Sequence, residues 1–138
     1  SDFQSAVDCA NSIKAMNTPI DIVVCNAGIN TFGELELIGG IERIFRVNHL
    51  GHFVLVNHLL PTLASADAAR IVHVGSVSGY LQAPAVGIDF DNLRGEKTFD
   101  AGEAYGRLHS SEPRRPSRAS FAVFCLKKKK SGRCDTRD

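Results

Sequence analysis

The sequence lacks the features that would assign it to a membrane-spanning or metal-binding class. Its 138 residues contain no apolar run of about eighteen residues or more, the length that a membrane-spanning helix requires. Residues 1–16 lack the basic-then-apolar order of a secretory signal. The four cysteines, at positions 9, 25, 125 and 134, show neither CxxC spacing nor a pattern of metal ligands. We therefore expect a cytoplasmic protein, in a reducing compartment, without a transmembrane segment or a metal site.

Charge is distributed unevenly between two parts of the chain. Residues 1–106 contain 6 Lys/Arg and 12 Asp/Glu, a net charge of −6, whereas residues 107–138 contain 10 Lys/Arg and 3 Asp/Glu, a net charge of +7. A change of sign within so few residues predicts a boundary. We expect one folded domain with a single small core over residues 1–106 and a basic tail over residues 107–138.

The basic tail is rich in Ser, Arg and Pro, and it contains an apolar stretch at residues 121–126 that four lysines follow. This composition is typical of a solvated, disordered segment. A contact with anionic lipid or nucleic acid is a weaker interpretation of the same lysines, and we predict no nucleic-acid partner. A third interpretation, a reading-frame shift or an alternative exon just after Arg107, would explain why the change is so abrupt.

Residues 1–106 show an alternation of helix and strand patterns. The predicted elements are a helix capped by Ser1 or Asp2 and ending near Met16, a strand at residues 20–25, a long helix at residues 40–60 that stops before Pro61, and a strand at residues 70–74. Strand, long helix and strand form a βαβ unit, in which the two strands are parallel. The β-branched strand residues favour burial on both faces. The predicted fold class is therefore α/β.

Small and polar residues follow both predicted strands. Asn26, Ala27 and Gly28 end the first strand, and Gly75 and Ser76 end the second. The carboxyl ends of parallel strands lie along one edge of a sheet, and ligands bind at this edge. We expect the two strand ends to face one crevice.

Asn48 interrupts the apolar stripe of the long helix. Its neighbours at steps of three and four residues are Ile41, Ile44, Phe45, His52, Leu55 and Leu59. An unpaired buried amide costs about 1–3 kcal/mol, so the side chain needs hydrogen-bond partners. One interpretation is a core Asn that a backbone carbonyl or a water satisfies. The other is a site Asn that orients a water or a catalytic side chain.

Three segments together carry a resemblance. DIVVCNAGI at residues 21–29, VNHLGHF at residues 47–53 and RIVHVGS at residues 70–76 resemble the short-chain dehydrogenase/reductase family in order and spacing. VNHLGHF, with the LLPTL that follows at residues 59–63, is most similar to the branch that contains retinol dehydrogenases and the WW-domain-containing oxidoreductase. The resemblance covers residues 1–107, and the family pattern is incomplete at both ends.

The resemblance implies a fold and a reaction. The fold would be part of a doubly wound, Rossmann-like parallel sheet that lacks the first strands and the glycine-rich loop. The reaction would transfer a hydride between NAD or NADP, with NADP slightly favoured by the branch, and an apolar alcohol or carbonyl. Asn26, Ala27 and Gly28 match the family's Asn-Ala-Gly turn, which borders the adenosine side of the cofactor. A homo-oligomer is left open.

The resemblance also implies three catalytic residues. Asn48 matches the Asn that holds a water in a proton relay, Ser76 the Ser that bonds the substrate oxygen, and Tyr105 the Tyr that exchanges a proton. Free tyrosine has a pKa of about 10, so it exchanges protons poorly at neutral pH unless a cation lies nearby. In the family, a lysine four residues after the Tyr supplies this charge.

The chain departs from the family pattern near Tyr105 and in its glycines. His109 stands where the lysine belongs, and a histidine is mostly neutral at pH 7. Pro113 and Pro116 follow, and each would break a helix interior. No two glycines lie two apart, so neither TGxxxGxG nor GxGxxG can be formed. An alternative function is therefore a truncated, inactive relative that acts as a binding or regulatory module, or a fragment without function.

Two further sets of residues have a structural and a functional interpretation. The segment 79–102 has no clear period and is predicted to be the substrate loop. Its larger apolar residues could face an apolar substrate or pin the loop to the core; they are Phe90, Leu93 and Phe99. The long helix carries three histidines that we interpret as packing or surface residues rather than metal ligands; they are His49, His52 and His58.

Overall fold

The structure, a computed structural model, describes residues 2–30, 33–85 and 87–109 and the backbone of residues 121–125. Helix α1 (Phe3–Ala15) begins as the sequence predicts, because the Asp2 carboxylate accepts a hydrogen bond of 3.0 Å from the backbone N–H of Gln4. Strand β1 (Ile22–Cys25) follows, two residues shorter than predicted.

A small hairpin precedes the long helix, where the sequence predicted that the helix would already begin. Strands β2 (Leu37–Ile38) and β3 (Ile41–Glu42) pair antiparallel. Gly39 and Gly40 form the turn between them with φ of 60° and 74°. Two consecutive positive φ values suit a two-residue hairpin turn and are incompatible with a helix start.

The long helix extends over residues 43–65 in three parts. A short turn α2 (Arg43–Phe45) leads into a π-helical turn (Arg46–Leu50) and then into α3 (Gly51–Ser65). The prediction that the helix stops before Pro61 is wrong, since Pro61 lies inside α3. Leu59 and Leu63 on either side of the proline are almost fully buried. We attribute the continuation to this burial, which offsets the lost backbone hydrogen bond.

Strand β4 (Arg70–Val74) has the predicted bounds and pairs parallel with β1, with Val23 opposite Ile71 and Cys25 opposite His73. The βαβ unit is thereby confirmed. Helices α1 and α3 pack on one face of the two strands. This main core contains Ala10, Cys25, Leu59, Leu63, Ala66, Ala69 and Ile71.

The other face of the two strands differs from the prediction of burial on both faces. Ile22 is 53% exposed, Val24 57% and Val74 39%. Their neighbours in the strands, Val23 and Ile71, belong to the main core or pack against it. The covered layer of the described structure therefore lies on one side of the sheet.

The remaining elements are α4 (Ser78–Leu81), a 3₁₀ turn (Phe90–Asn92), α5 (Ala101–Arg107) and β5 (Phe121–Cys125). Strand β5 pairs antiparallel with β4, with Val123 opposite Val72. The backbone at residues 121–125 thus differs from the disordered tail expected there, because an apolar, β-prone run pairs with the edge of β4. The same expectation for residues 110–120 and 126–138 lies outside the described residues.

A second, smaller core holds α5 and continues past the predicted boundary at residue 106. It contains Ile44, Ala104 and Leu108, and Leu108 is only 6% exposed.

Over the described ranges, no helix is both long enough and apolar enough to cross a membrane.

Candidate active site

The parallel pairing of β1 and β4 brings the two predicted strand ends to the same edge of the sheet. Cys25 lies opposite His73, so the turn that follows β1 and the turn that follows β4 start at similar levels. Asn26, Ala27 and Gly28 are exposed at this edge, and Ser76 is half-buried. The sequence-based expectation of a shared edge therefore holds for the backbone.

Asn48 lies on the π-helical turn, and the backbone of Ile29 satisfies its side chain. Its Oδ1 accepts a hydrogen bond of 2.8 Å from the Ile29 N–H, and its Nδ2 donates one of 2.8 Å to the Ile29 carbonyl. Of the two interpretations of this residue, the described contacts match the Asn that backbone groups satisfy. A π-turn also occurs often at functional sites, so a second role in orienting a water stays a prediction.

Gly28 packs directly against Asn48. A Cβ atom on Gly28 would lie 3.2 Å from Asn48 Oδ1 and 3.3 Å from its Cγ, closer than ordinary van der Waals contact. The glycine of the Asn-Ala-Gly turn is thus explained by the approach of a helix side chain. Sequence reasoning missed the contact because the two residues belong to different predicted elements.

Ser76 is held by a neighbour that the sequence analysis did not select. The Ser78 N–H donates to Ser76 Oγ at 3.2 Å, and the Ser76 hydroxyl donates to Ser78 Oγ at 3.2 Å. Ser78 is the first residue of α4. The Ser-x-Ser spacing just after a strand, which is typical of a local side-chain turn, could have identified this residue.

Tyr105 is carried by α5, which packs tightly on α4 through Gly106. A Cβ atom on Gly106 would lie 2.7 Å from the Ala83 nitrogen and 2.9 Å from the Ser78 carbonyl oxygen, both of which are backbone atoms. Only a glycine allows this approach. The structure therefore brings together the helix of Tyr105 and the turn that holds Ser76.

His109 contacts Tyr105 edge-on, with ring centroids 5.0 Å apart and an interplanar angle of 70°. Its Nε2 is buried without a hydrogen-bond partner. Burial lowers the pKa of His109 below its usual value of 6.5. The imidazole is therefore neutral near pH 7 and does not supply the positive charge of the family's lysine at this place. Helix α5 ends at Arg107, and the sequence predicts such an end because Pro113 and Pro116 follow.

A cavity of about 260 Å³ lies between α3, the ends of the parallel strands and the residues that follow α5. Polar side chains from all three regions line it, and they include Cys25, Asn48, His52, His73 and His109. Burial lowers the pKa values of His49, His52 and His73, and it raises the pKa of the Cys25 thiol. In the part of the chain that the structure describes, no three or more His, Cys, Asp or Glu residues are arranged to hold a metal ion.

An apolar groove of about 490 Å³ adjoins the helix and the predicted substrate loop. Phe90, which is 76% exposed, and Leu93 line this groove together with Phe53. Phe99 instead packs against the second core. Asn92 fixes the loop internally, because its Nδ2 donates to the Thr98 carbonyl at 2.8 Å. Phe90 and Leu93 thus lie where an apolar substrate could contact them, whereas Phe99 attaches the loop to the core.

One turn at the sheet edge is accessible to a ligand. The exposed turn Asn26–Ala27–Gly28 at a strand end offers backbone and amide groups to a ligand at the sheet edge. The family's phosphate-binding loop requires two glycines that lie two residues apart, and these 138 residues contain no such pair.

Comparison with known proteins identifies the family. The model of the family described as short chain dehydrogenase matches residues 1–88. The chain is 36% identical over 105 residues to human "Retinol dehydrogenase 11", an alignment that covers 76% of this chain and 32% of the relative. It is 31% identical over 121 residues to mouse "Polyprenol dehydrogenase" (85% and 32% covered) and 42% identical over 78 residues to the "WW domain-containing oxidoreductase" of Gallus gallus (55% and 18% covered). The chain therefore spans only part of the length of these relatives, and it belongs to the short-chain dehydrogenase family, in its retinol dehydrogenase-like branch.

Proposed function

We propose that the chain carries the Ser–Tyr part of the active site of an NAD(P)-dependent oxidoreductase. The reaction would interconvert an apolar alcohol and the corresponding carbonyl compound. The observation that supports this most is the packing of Gly106 on α4, because it sets the helix of Tyr105 beside the turn in which Ser78 holds the Ser76 hydroxyl.

Each of the two hydroxyl groups would have a defined task. Ser76 would turn its hydroxyl hydrogen from Ser78 Oγ to the substrate oxygen. The hydrogen bond that Ser76 Oγ accepts from the Ser78 N–H would keep the oxygen in place during this change. Tyr105 would give a proton to this oxygen during reduction or take it during oxidation. The nicotinamide, when bound, supplies or accepts the hydride.

The cofactor would contact the exposed turn after β1. Asn26, Ala27 and Gly28 would border its adenosine side, and the bonds between Asn48 and Ile29 would hold this turn in place. We favour NADP slightly over NAD because of the resemblance to the retinol dehydrogenase branch. Asn48 would in addition orient a water of the proton relay.

The apolar groove supports an apolar substrate. Its volume of about 490 Å³ falls within the range of roughly 300–1,000 Å³ typical of small-molecule sites. The names of the relatives refer to retinol and polyprenol, which are alcohols with long apolar chains. We propose such a molecule, rather than a nucleic acid, as the ligand of this chain.

Two further proposals concern the location and assembly of the chain. We propose a reducing compartment such as the cytoplasm as its location, because Cys9 and Cys25 are free thiols. The exposed apolar side chains of Ile22 and Val24 support self-association into a homo-oligomer.

A second candidate function is that of an inactive relative that binds a ligand or partner without turnover. One observation favours it: the group one turn after Tyr105 is the imidazole of His109, whose pKa is lowered by burial so that it is neutral near pH 7.

Cofactor binding and turnover distinguish the two candidates. The purified chain is titrated with NADPH while the fluorescence of the reduced nicotinamide is followed, and it is then assayed with a panel of apolar aldehydes. Saturable binding together with aldehyde reduction supports the oxidoreductase. A chain that is folded by circular dichroism but neither binds NADPH nor reduces any aldehyde supports the inactive relative.

A further inference from the structure

Phe53 and His49 line both the apolar groove and the cavity of about 260 Å³. The groove extends from them towards Phe90 and Leu93 of the predicted substrate loop, whereas the cavity lies towards Leu108 and the ends of the parallel strands. We call this cavity the histidine cavity, because its lining also includes His52, His73 and His109. The two spaces therefore adjoin, and Phe53 and His49 form the wall between them.

The two spaces differ in chemistry. Most of the side chains described in the lining of the groove are apolar; they are Ile41, Phe45, Leu50, Phe53, Phe90 and Leu93. The histidine cavity presents imidazole groups together with the amides of Asn48 and Asn57. An apolar chain gains free energy when it leaves water for apolar surface, and it gains less where it displaces the hydration of polar groups. The wall thus separates a space suited to an apolar chain from one suited to polar groups.

The wall belongs to a ladder of three rings on the long helix. Phe45, His49 and Phe53 follow one another at steps of four residues, and all three line the groove. The rings of Phe45 and His49 are stacked, with centroids 5.2 Å apart and 13° between their planes. Phe45 in turn packs against the second core. The His49 side of the wall is therefore anchored to the fold.

The π-helical turn (Arg46–Leu50) explains why the three rings share one side of the helix. In a regular α-helix, eight residues exceed two full turns by about 80°, which would rotate Phe53 away from Phe45. A π-turn takes up one extra residue, so eight residues then cover about the same two turns that seven cover in a regular helix. The turn thereby brings Phe53 to the side of the groove.

Phe53 is 61% exposed, although it is a large apolar side chain. The residues of α3 that form the main core are Leu59 and Leu63, about two turns further along the helix. Removing the Phe53 ring would therefore take away part of the wall and little of the packing that stabilises α3. An exposed apolar side chain beside an apolar groove is also typical of a ligand-binding surface.

We propose that Phe53 is a specificity-determining residue, which confines the apolar part of the ligand to the groove and so limits the length of the chain that the site accepts. Without its ring, the groove opens into the histidine cavity, and a longer chain extends past His49. The inference rests on the proposed function for its ligand class, an apolar alcohol or carbonyl compound. It requires binding and no turnover.

The affinities for a series of unbranched alcohols, from 1-hexanol to 1-tetradecanol, test the role of Phe53. They are measured by displacement of the fluorescent probe N-phenyl-1-naphthylamine, with each alcohol below its solubility limit. Each CH₂ group that leaves water raises the affinity about fourfold, so the wild-type affinity should rise along the series until the groove is filled and then stay level. In Phe53→Ala, this level should begin at a chain longer by about two or more CH₂ groups. The ratio of the affinities for the longest and shortest alcohols should therefore increase about tenfold or more.

Phe90→Ala is the matched control, because Phe90 is 76% exposed and lines the groove away from the shared wall. This variant should bind all the alcohols more weakly, with the level beginning at the wild-type chain length. Circular dichroism verifies the fold of each variant, and Phe53→Val replaces Phe53→Ala if the latter is unfolded. The same chain length in the wild type and in the Phe53 variant, or an equal shift in Phe90→Ala, would refute the role of Phe53. A wild-type chain that binds none of the alcohols would refute it as well.

Turnover is scored separately, so that the two proposals can fail independently. NADPH-dependent reduction of aldehydes without a shift in chain length would leave the oxidoreductase in place and overturn the role of Phe53. A shift in chain length without any turnover would support the role of Phe53 and contradict the oxidoreductase.

Discussion

Asn48 and Ile29, which are 19 residues apart, form two hydrogen bonds of 2.8 Å in which the amide side chain of one pairs with the backbone of the other. The pair ties the π-helical turn to the residues that follow β1. It therefore fixes the Asn-Ala-Gly turn at the edge of the sheet, where the proposed cofactor would bind. The sequence identified both partners' regions as candidate site elements, but it did not predict their direct contact.

Replacing Asn48 should destabilise the fold. In Asn48→Leu, the N–H and carbonyl of Ile29 lose their partners, and a partly buried pair left unsatisfied costs about 1–3 kcal/mol. The free energy of unfolding, measured in urea by circular dichroism, should fall by this amount. Asn57→Leu is the matched control, because Asn57 is exposed and makes one hydrogen bond, to the Phe53 carbonyl. Equal losses in the two variants would contradict the account of Asn48.

The contact of Gly106 with α4 should tolerate no side chain. In Gly106→Ala, the new Cβ would lie 2.7–2.9 Å from backbone atoms of α4 and the residues after it, and such overpacking costs about 1–3 kcal/mol. Gly51→Ala is the matched control, because its Cβ would meet only the Arg46 carbonyl oxygen at 3.6 Å. We expect Gly51→Ala to raise the melting temperature and Gly106→Ala to lower it. A Gly106→Ala variant as stable as the wild type would show that α5 does not pack as described.

A cation one turn after Tyr105 should increase any activity of the chain. In His109→Lys, the ammonium group at the end of the flexible side chain can reach the phenol of Tyr105, which the neutral imidazole now contacts edge-on. Positioned acid–base catalysis contributes about 10²–10⁴-fold, so a gain of about tenfold or more in kcat is expected. His109→Gln, which has a similar size and no charge, should give no gain. Equal rates for the two variants would mean that charge at this position does not limit the reaction.

The two described cysteines should differ in reactivity. Cys9 is exposed, whereas Cys25 is buried and burial raises its pKa, so little of its reactive thiolate forms. Iodoacetamide at pH 8 should therefore label Cys9 much faster than Cys25 in the folded chain, as measured by peptide mass spectrometry. In urea the two rates should converge. Rapid labelling of Cys25 in the folded chain would show that β1 is open to solvent.

The parts of the fold that follow from local sequence were predictable. Asp2 is a helix cap whose hydrogen bond forms within its own turn, and the β-branched run at Arg70–Val74 forms a strand with the predicted bounds. The failures involve contacts that are distant in sequence. Pro61 continues a helix because Leu59 and Leu63 are buried on other elements, and Ile22 is exposed because whether a face is covered depends on the whole sheet.

The residues of the candidate site likewise fall into those that the sequence predicted and those that it missed. The resemblance selected Asn48, Ser76 and Tyr105, and their placement at one end of the βαβ unit follows from the fold. Ser78 and Gly106 were missed, because their importance comes from a hydrogen bond and a backbone approach that only the folded chain defines. The roles of all these residues in catalysis are tested by activity rather than by geometry.

The most direct test of the central proposal is the rate of NADPH-dependent reduction of an apolar aldehyde by the wild-type chain and by Tyr105→Phe. Ser12→Ala, at an exposed position on α1, is the control for the effect of a substitution as such. The account predicts measurable turnover that Tyr105→Phe lowers by about 10²-fold or more and that Ser12→Ala leaves unchanged. Turnover that is the same in Tyr105→Phe as in the wild type would contradict it.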